Sequence, residues 1–134
     1  MSMILDVSHI SVSIERTPDD VYRFASNIEG WSQWAAGLGR PLRREGDAWW
    51  FDSQMGELRV RVAAPNPFRV LDHDVTLPSG ETVHNPLRVL PNGQGSELVF
   101  SVFRQPGTSD AAHENDKAAV SRDLHTLKRL LEEA

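Results

Sequence analysis

The chain has 134 residues, of which 40% are hydrophobic and 25% charged, a balance that is typical of a globular protein and predicts a single domain over residues 1–134. Its formal net charge of -5 at pH 7 argues against a nucleic-acid partner, because a phosphate-binding surface needs a positive field. It contains no cysteine, no apolar run near the ~18 residues of a membrane span and no signal peptide, which excludes disulfides and predicts a cytoplasmic protein.

The first predicted elements are a strand and two short helices. Residues 10–14 alternate isoleucine or valine with serine, which is the period-two pattern of a half-buried strand. Thr17 followed by Pro18 predicts a helix start, because threonine caps helices and proline suits their first position. Gly30 is expected to break this helix, and the apolar spacing over residues 31–38 predicts a second one.

From residue 40 to residue 104 the pattern is that of strands separated by turns. Strands are predicted over residues 42–44, 48–52, 58–62, 68–76, 82–90 and 97–104. Pro86 lies inside the fifth of these segments and indicates an edge or a bulge there, because proline cannot donate to a strand ladder. Hairpin connections between consecutive strands make the sheet antiparallel.

A long C-terminal helix is predicted after a cap at Thr108 or Ser109. Apolar residues recur along it at helical spacing, namely Val120, Leu124, Leu127 and Leu131. About 23 residues at 1.5 Å each give a helix of roughly 35 Å, which must cross most of the sheet. The apolar stripe has to be buried against that sheet, so the fold class is α+β.

This order of elements, together with three stretches, resembles the START-related (SRPBCC) superfamily of polyketide cyclases and birch-pollen-allergen-like proteins. The stretches are residues 17–24, 28–34 and 98–103, and the likeness covers nearly the whole chain. It implies a helix-grip fold, in which a curved seven-stranded antiparallel sheet wraps a long C-terminal helix, with two short helices after the first strand. Members of the superfamily bind lipids, sterols, polyketides or plant hormones, and some catalyse cyclisation or aldol chemistry.

Aromatic residues are the expected walls of a cavity between such a sheet and helix. Trp31 and Trp34 share a helical face, and Trp49 and Phe51 share a strand face with Trp50 on the other. These walls suit a flat apolar ligand. The alternative is that they are ordinary core residues, since aromatic side chains dominate core packing in any protein.

His73 is the candidate polar group at the centre of this cavity. On a strand it points with Leu71 and Val75, whereas Asp72 and Asp74 point the other way. The opposite phase would bury two carboxylates, so His73 is expected inside, as a hydrogen-bonding group or a general base. The alternative is a structural histidine satisfied by a backbone group or water.

Two further polar residues are candidates for ligand binding. Asn85 lies on an apolar strand face, where an amide orients a ligand oxygen or bonds the backbone beside Pro86. His113, on the final helix, is expected at the cavity mouth or in solvent. His73, His84 and His113 show no metal-ligand spacing, so neither a metal nor another cofactor is predicted.

The candidate residues are compatible with three functions. The first is binding of a small hydrophobic or amphipathic molecule, such as a lipid, polyketide or aromatic compound, between the sheet and the C-terminal helix. The second is a polyketide cyclase-like or aldolase-type enzyme, a lyase or isomerase, with His73 as general base. The third is a protein-interaction module on the outer sheet face, with Trp50 as its central contact and a homodimer as its simplest form.

Overall fold

The computed structural model describes residues 4–134, and its element order confirms the α+β class. The strands are β1 (Val7–Ile14), β2 (Pro41–Glu45), β3 (Ala48–Phe51), β4 (Leu58–Val62), β5 (His73–Thr76), β6 (Thr82–Asn85), β7 (Leu87–Asn92) and β8 (Gly95–Phe103). The helices are α1 (Pro18–Ala25), a 3-10 helix (Ile28–Gln33) and α2 (Asp110–Glu133).

All strand pairs are antiparallel, and the described strands form two sheets. The three-stranded sheet has the order β1-β8-β7, and the five-stranded sheet has the order β2-β3-β4-β5-β6. The expected seven strands are therefore eight, because the segment predicted over 82–90 divides at Pro86. Proline lacks an N–H for the ladder, so the chain leaves one sheet there and enters the other. The Pro86 carbonyl still accepts from the backbone N–H of Ser101 at 3.0 Å.

The strand predicted over 68–76 is shorter than expected, since β5 begins only at His73. The preceding segment turns instead. Asn66 Oδ1 accepts from the backbone N–H of Phe68 at 3.0 Å, and Arg69 adopts a positive φ of 58°. Asparagine side chains commonly hold turns in this way, and the alternating apolar pattern gave no sign of it.

Both α-helices begin where their capping residues predict. Thr17 Oγ1 accepts from the backbone N–H of Asp20 at 3.2 Å at the start of α1. Ser109 Oγ accepts from the backbone N–H of Ala112 at 3.1 Å, which selects Ser109 over Thr108 as the cap of α2. Helix α2 has 24 residues, close to the expected length.

The second short helix differs from its prediction in place and type. It is a 3-10 helix over Ile28–Gln33, so Gly30 lies inside it instead of ending α1. Trp31 is almost completely buried, and its Nε1–H donates to the Ala25 carbonyl at 2.7 Å. That bond ties the 3-10 helix to the end of α1, and places the tryptophan over the sheet.

The hydrophobic core lies between α2, the two short helices and the inner faces of both sheets. Its buried side chains include Leu124, Leu127 and Leu131 from α2, and Val12, Phe51, Val60 and Leu98 from the strands. The apolar stripe of α2 is therefore buried as its spacing predicts. None of the helices in residues 4–134 combines the length and apolar character that crossing a membrane requires.

Candidate ligand-binding cavity

An apolar cavity of about 290 Å³ lies between the five-stranded sheet, the 3-10 helix and α2. Its sheet wall is formed by Leu58, Val60, Val75 and Val83, and its helix wall by Val120 and Leu124. Ligand pockets in proteins usually span about 300–1,000 Å³, so this cavity has room for a small molecule at the lower end of that range.

In β5, the side chains of His73 and Val75 face the cavity. This is the expected orientation, because the opposite one would bury the carboxylates of Asp72 and Asp74. Asp72 faces outward, where it accepts from Arg88 Nη2 at 3.0 Å. Asp74 also faces outward and lies 2.6 Å from Nδ1 of His84. Both carboxylates thus have polar partners near solvent, and the inner face of β5 keeps only one polar side chain.

The His73 imidazole is 6% exposed and is held by one hydrogen bond. Its Nδ1 lies 3.0 Å from the Leu71 carbonyl, which can only accept, so Nδ1 carries the proton and Nε2 has the free lone pair. Within residues 4–134, Nε2 has no hydrogen-bond partner. Burial lowers the pKa of His73 to about 4, although the bond to Leu71 opposes that shift, so the ring is neutral at pH 7.

Aromatic rings fix the orientation of this imidazole. The Trp31 ring centroid lies 4.7 Å from that of His73 with an interplanar angle of 77°, and Phe100 lies 5.8 Å away at 73°. Trp34 packs on Trp31 with a centroid distance of 5.3 Å. Edge-to-face contacts of this kind are favourable, so they hold the His73 ring in place beside the cavity.

Asn85 is the direct cross-strand neighbour of His73 between β5 and β6. Residues paired in this way project to the same face with Cβ atoms about 5 Å apart, and both line the cavity. The side-chain amide of Asn85 has no hydrogen-bond partner within residues 4–134. The cavity wall therefore carries two adjacent polar side chains that have hydrogen-bonding capacity to spare.

Asp123 is a third polar residue of the lining, and the sequence interpretation missed it. Its Oδ1 accepts from the backbone N–H of Ala36 at 3.2 Å, and burial raises its pKa above the usual range for aspartate. A signal was present in the sequence. Val120, Asp123, Leu124 and Leu127 follow the spacing i, i+3, i+4, i+7, so a carboxylate sits within the apolar stripe.

Four of the predicted ligand-binding residues line this cavity, namely Trp31, Trp34, His73 and Asn85. The other three do not. Phe51 is a fully buried core residue, and Trp49 lines a separate opening. His113 is buried in the first turn of α2, where its Nδ1 has no hydrogen-bond partner in the part of the chain that the structure describes. Among residues 4–134, no group of three or more histidine or carboxylate side chains is placed to hold a metal ion.

Trp50 lies on the outer face of β3, but it is not the bare aromatic that the interaction hypothesis needs. It is only partly exposed, and the Arg43 guanidinium carbon lies 4.6 Å from its ring centroid. Arg43 is in turn paired with Glu45 at 2.9 Å and Glu57 at 3.0 Å. An interaction through the outer sheet face and a homodimer remain predictions, and they are not supported by a freely exposed Trp50.

The chain is similar to a known protein family and to solved structures over nearly its whole length. A family model described as "Polyketide cyclase / dehydrase and lipid transport" matches residues 7–132. No curated protein matches the sequence significantly. Among solved structures, Ara h 8.0201 superposes with a TM-score of 0.74 at 13% identity, over 97% of this chain and 99% of its own.

Two bacterial structures are similar over the same extent. The Zhui aromatase/cyclase from Streptomyces sp. R1128 has a TM-score of 0.69 at 16% identity, over 96% of this chain and 94% of its own. A START superfamily protein from Mycobacterium smegmatis has a TM-score of 0.71 at 12% identity, over 95% and 97% of the two chains. At such identities the likeness shows the fold alone, and it confirms the predicted helix-grip class.

Proposed function

The chain belongs to the polyketide cyclase / dehydrase and lipid transport family, and we propose that it binds a small, neutral, largely apolar ligand with one hydroxyl group. The ligand occupies the cavity between the five-stranded sheet and α2. One observation carries this proposal: His73 and Asn85 are cross-strand neighbours in an otherwise apolar sheet wall, and within residues 4–134 neither His73 Nε2 nor the Asn85 amide has a hydrogen-bond partner.

The hydroxyl group follows from the hydrogen-bonding capacity of these two side chains. Neutral His73 offers only an acceptor at Nε2, so the ligand must supply a donor. The Asn85 amide donates, so a single hydroxyl satisfies both residues at once. Leaving a buried polar group unpaired costs about 1–3 kcal/mol, which a hydroxylated ligand removes and a hydrocarbon does not.

The neutrality of the ligand follows from the charges that surround it. Among residues 4–134, the cavity lining contains neither lysine nor arginine, and its ionisable members are His73 and Asp123. A ligand carboxylate or phosphate would lose its hydration without meeting a cation, and it would be repelled by Asp123. An apolar alcohol or phenol avoids both costs.

Binding is favoured over catalysis by the basicity of His73. His73 and Asn85 are cross-strand neighbours that both line the cavity, and a cyclase or aldolase-type reaction uses two polar groups placed on one cavity wall. However, a general base works best with a pKa near the working pH, and burial lowers the pKa of His73 to about 4. His73 is therefore a good hydrogen-bond acceptor at pH 7 and a poor proton acceptor.

Calorimetric titration with para-ethylphenol and its methyl ether tests this proposal. The two probes have nearly the same shape, but the ether cannot donate to His73. We expect the phenol to bind roughly tenfold more tightly, because a hydrogen bond to a buried unpaired group is worth about 1.4 kcal/mol. Equal affinities for the two probes would contradict the hydroxyl recognition.

Two matched substitutions locate the binding site. Val75→Trp fills the cavity and is expected to abolish phenol binding. Val62→Trp adds the same side chain to the same sheet face outside this cavity, and it is expected to retain binding. Circular dichroism establishes that both variants are folded. Unchanged binding by folded Val75→Trp would place the phenol elsewhere on the protein.

A further inference from the structure

The cavity is extended along β5. Three residues line it in succession on this side, namely His73, Val75 and Leu77. Leu77 directly follows β5, and its backbone N–H donates to the Glu81 carbonyl at 2.8 Å, so the pairing with the β6 side continues to this residue. Residues two apart on a strand share a face at intervals of about 7 Å, so the row from His73 to Leu77 spans about 13 Å.

The His73 end of this row is the closed end of the cavity. Val62 is the cross-strand neighbour of His73 on β4, yet it does not line the cavity. The Trp31 ring, which contacts the His73 ring with a centroid distance of 4.7 Å, is 2% exposed. A ligand whose hydroxyl group bonds to His73 therefore extends away from Trp31, toward Leu77.

The opposite end of the cavity is open to solvent. Met55, between β3 and β4, lines the cavity and is nevertheless 64% exposed. Gly37, in the segment after the 3-10 helix, also lines the cavity and is also exposed. The same two residues line a depression on the protein surface. They therefore mark the mouth of the cavity.

The turn that carries Met55 places it at the Leu77 end. The backbone N–H of Met55 donates to Ser53 Oγ at 3.1 Å, and the Ser53 hydroxyl donates to the Gly56 carbonyl at 2.7 Å. Gly56 lies close to Pro78, since a Cβ at Gly56 would be 3.0 Å from Pro78 Cγ. Pro78 directly follows Leu77, so an apolar tail that passes Leu77 meets Met55 at the mouth.

From this arrangement we infer that Met55 is a specificity-determining residue, which contacts the ligand tail at the mouth while His73 holds the hydroxyl group at the closed end. The inference rests on the proposed binding function and adds the ligand class, namely linear molecules with a hydroxyl group at one end and an apolar tail at the other. The unbranched, polarisable side chain of methionine adapts to tails of different shape, and a tail that covers it removes apolar surface from water.

Calorimetric titration with para-alkylphenols from ethyl to hexyl tests the inference. Each methylene that enters apolar space strengthens binding about fourfold, so we expect the wild-type affinity to rise along the series. In Met55→Ser the gain from ethyl to hexyl is expected to be at least fourfold smaller, because the end of the tail loses its apolar contact. Met55 is exposed, so this variant is expected to fold.

A matched variant controls for the loss of an exposed apolar side chain. Leu90 on β7 is 46% exposed and does not line the cavity, so Leu90→Ser is expected to keep the wild-type gain. A Met55→Ser protein that also keeps the full wild-type gain would overturn the inference, because the tail would then lie elsewhere.

Carbon-13 NMR of methyl-labelled methionine observes the contact itself. The chain has three methionines, and the Met55 signal is identified by its absence in Met55→Ser. We expect para-hexylphenol to shift the Met55 methyl resonance strongly and para-ethylphenol to shift it less, because the ethyl group is too short to cover the mouth. A Met55 methyl resonance that does not move at saturating para-hexylphenol would also overturn the inference.

The same titrations separate this inference from the proposed function. If the wild-type protein binds none of the phenols, the binding function fails and the role of Met55 fails with it. If the wild-type protein binds para-ethylphenol but its affinity does not rise toward para-hexylphenol, only the direction of the tail and the role of Met55 fail.

Discussion

The chain buries two histidines in different regions, one on β5 and one in the first turn of α2, and their surroundings differ. His73 and His113 are 6% and 7% exposed, so burial does not distinguish them. His73 has a partner on Nδ1 and turns Nε2 toward an apolar cavity beside Asn85. His113 does not line that cavity, and its Nδ1 has no hydrogen-bond partner among the described residues 4–134. His73 is therefore the ligand-binding candidate, because one of its ring nitrogens is hydrogen-bonded to the backbone and the other faces an open cavity.

The largest expected effect is on acid stability. Folded His73 stays neutral down to a pH of about 4, whereas the unfolded chain takes up a proton near 6.5. As the pH falls from 6.5 to about 4, the unfolded state binds a proton that the folded state does not, so the free energy of unfolding decreases by on the order of 3 kcal/mol. His73→Leu is expected to remove this part of the decrease, measured by urea unfolding at pH 7 and pH 4.

The control for that measurement is a substitution that neither adds nor removes an ionisable side chain. Val75→Ala on the same strand face is expected to lower the free energy of unfolding equally at both pH values. If His73→Leu keeps the full wild-type loss of stability between pH 7 and pH 4, then burial does not hold His73 neutral, and the contrast between the two regions loses its basis.

The next effect in size concerns ligand affinity. His73→Leu removes the acceptor for the ligand hydroxyl, and we expect para-ethylphenol to bind roughly tenfold more weakly, a loss of about 1.4 kcal/mol. The same change at His113 is expected to leave the dissociation constant unchanged, because His113 does not line the cavity. Titration calorimetry on both variants measures the difference. Equal losses at the two positions would mean that His73 acts only through the fold.

The smallest effect is the stability change on replacing His113 itself. His113→Leu removes a buried Nδ1 that has no hydrogen-bond partner within residues 4–134, so the free energy of unfolding at pH 7 is expected to increase by about 1 kcal/mol. His73→Leu is not expected to stabilise the protein, because it breaks the bond to the Leu71 carbonyl. Urea unfolding at pH 7 compares the two. A clear destabilisation by His113→Leu would show that its ring makes a favourable contact.

The fold was largely predictable because it follows local rules. Thr17 and the serine before α2 cap their helices, and the leucine spacing of α2 sets its buried face. The inward phase of His73 also follows from a local argument, since the alternative would bury Asp72 and Asp74. These features depend on neighbouring residues alone, and the printed sequence contains all of them.

The parts of the candidate site that sequence did not predict depend on tertiary packing. Trp49 and Phe51 share a strand face, yet Phe51 is sealed in the core and Trp49 lines a separate opening. Nothing in the local pattern gives the position of the 3-10 helix, which brings Trp31 into the cavity lining. The unpartnered nitrogen of His113 is likewise a property of what packs around it, and the sequence period cannot show it.

Nitrogen-15 NMR of histidine-labelled protein tests the central claim most directly, because it observes the proposed acceptor atom among the five histidines. We predict that His73 shows the tautomer with the proton on Nδ1 at pH 7. Its Nε2 resonance should shift on addition of para-ethylphenol and stay nearly unchanged with the methyl ether. A protonated Nε2 in the free protein, or an Nε2 resonance that does not move at saturating phenol, would contradict the account.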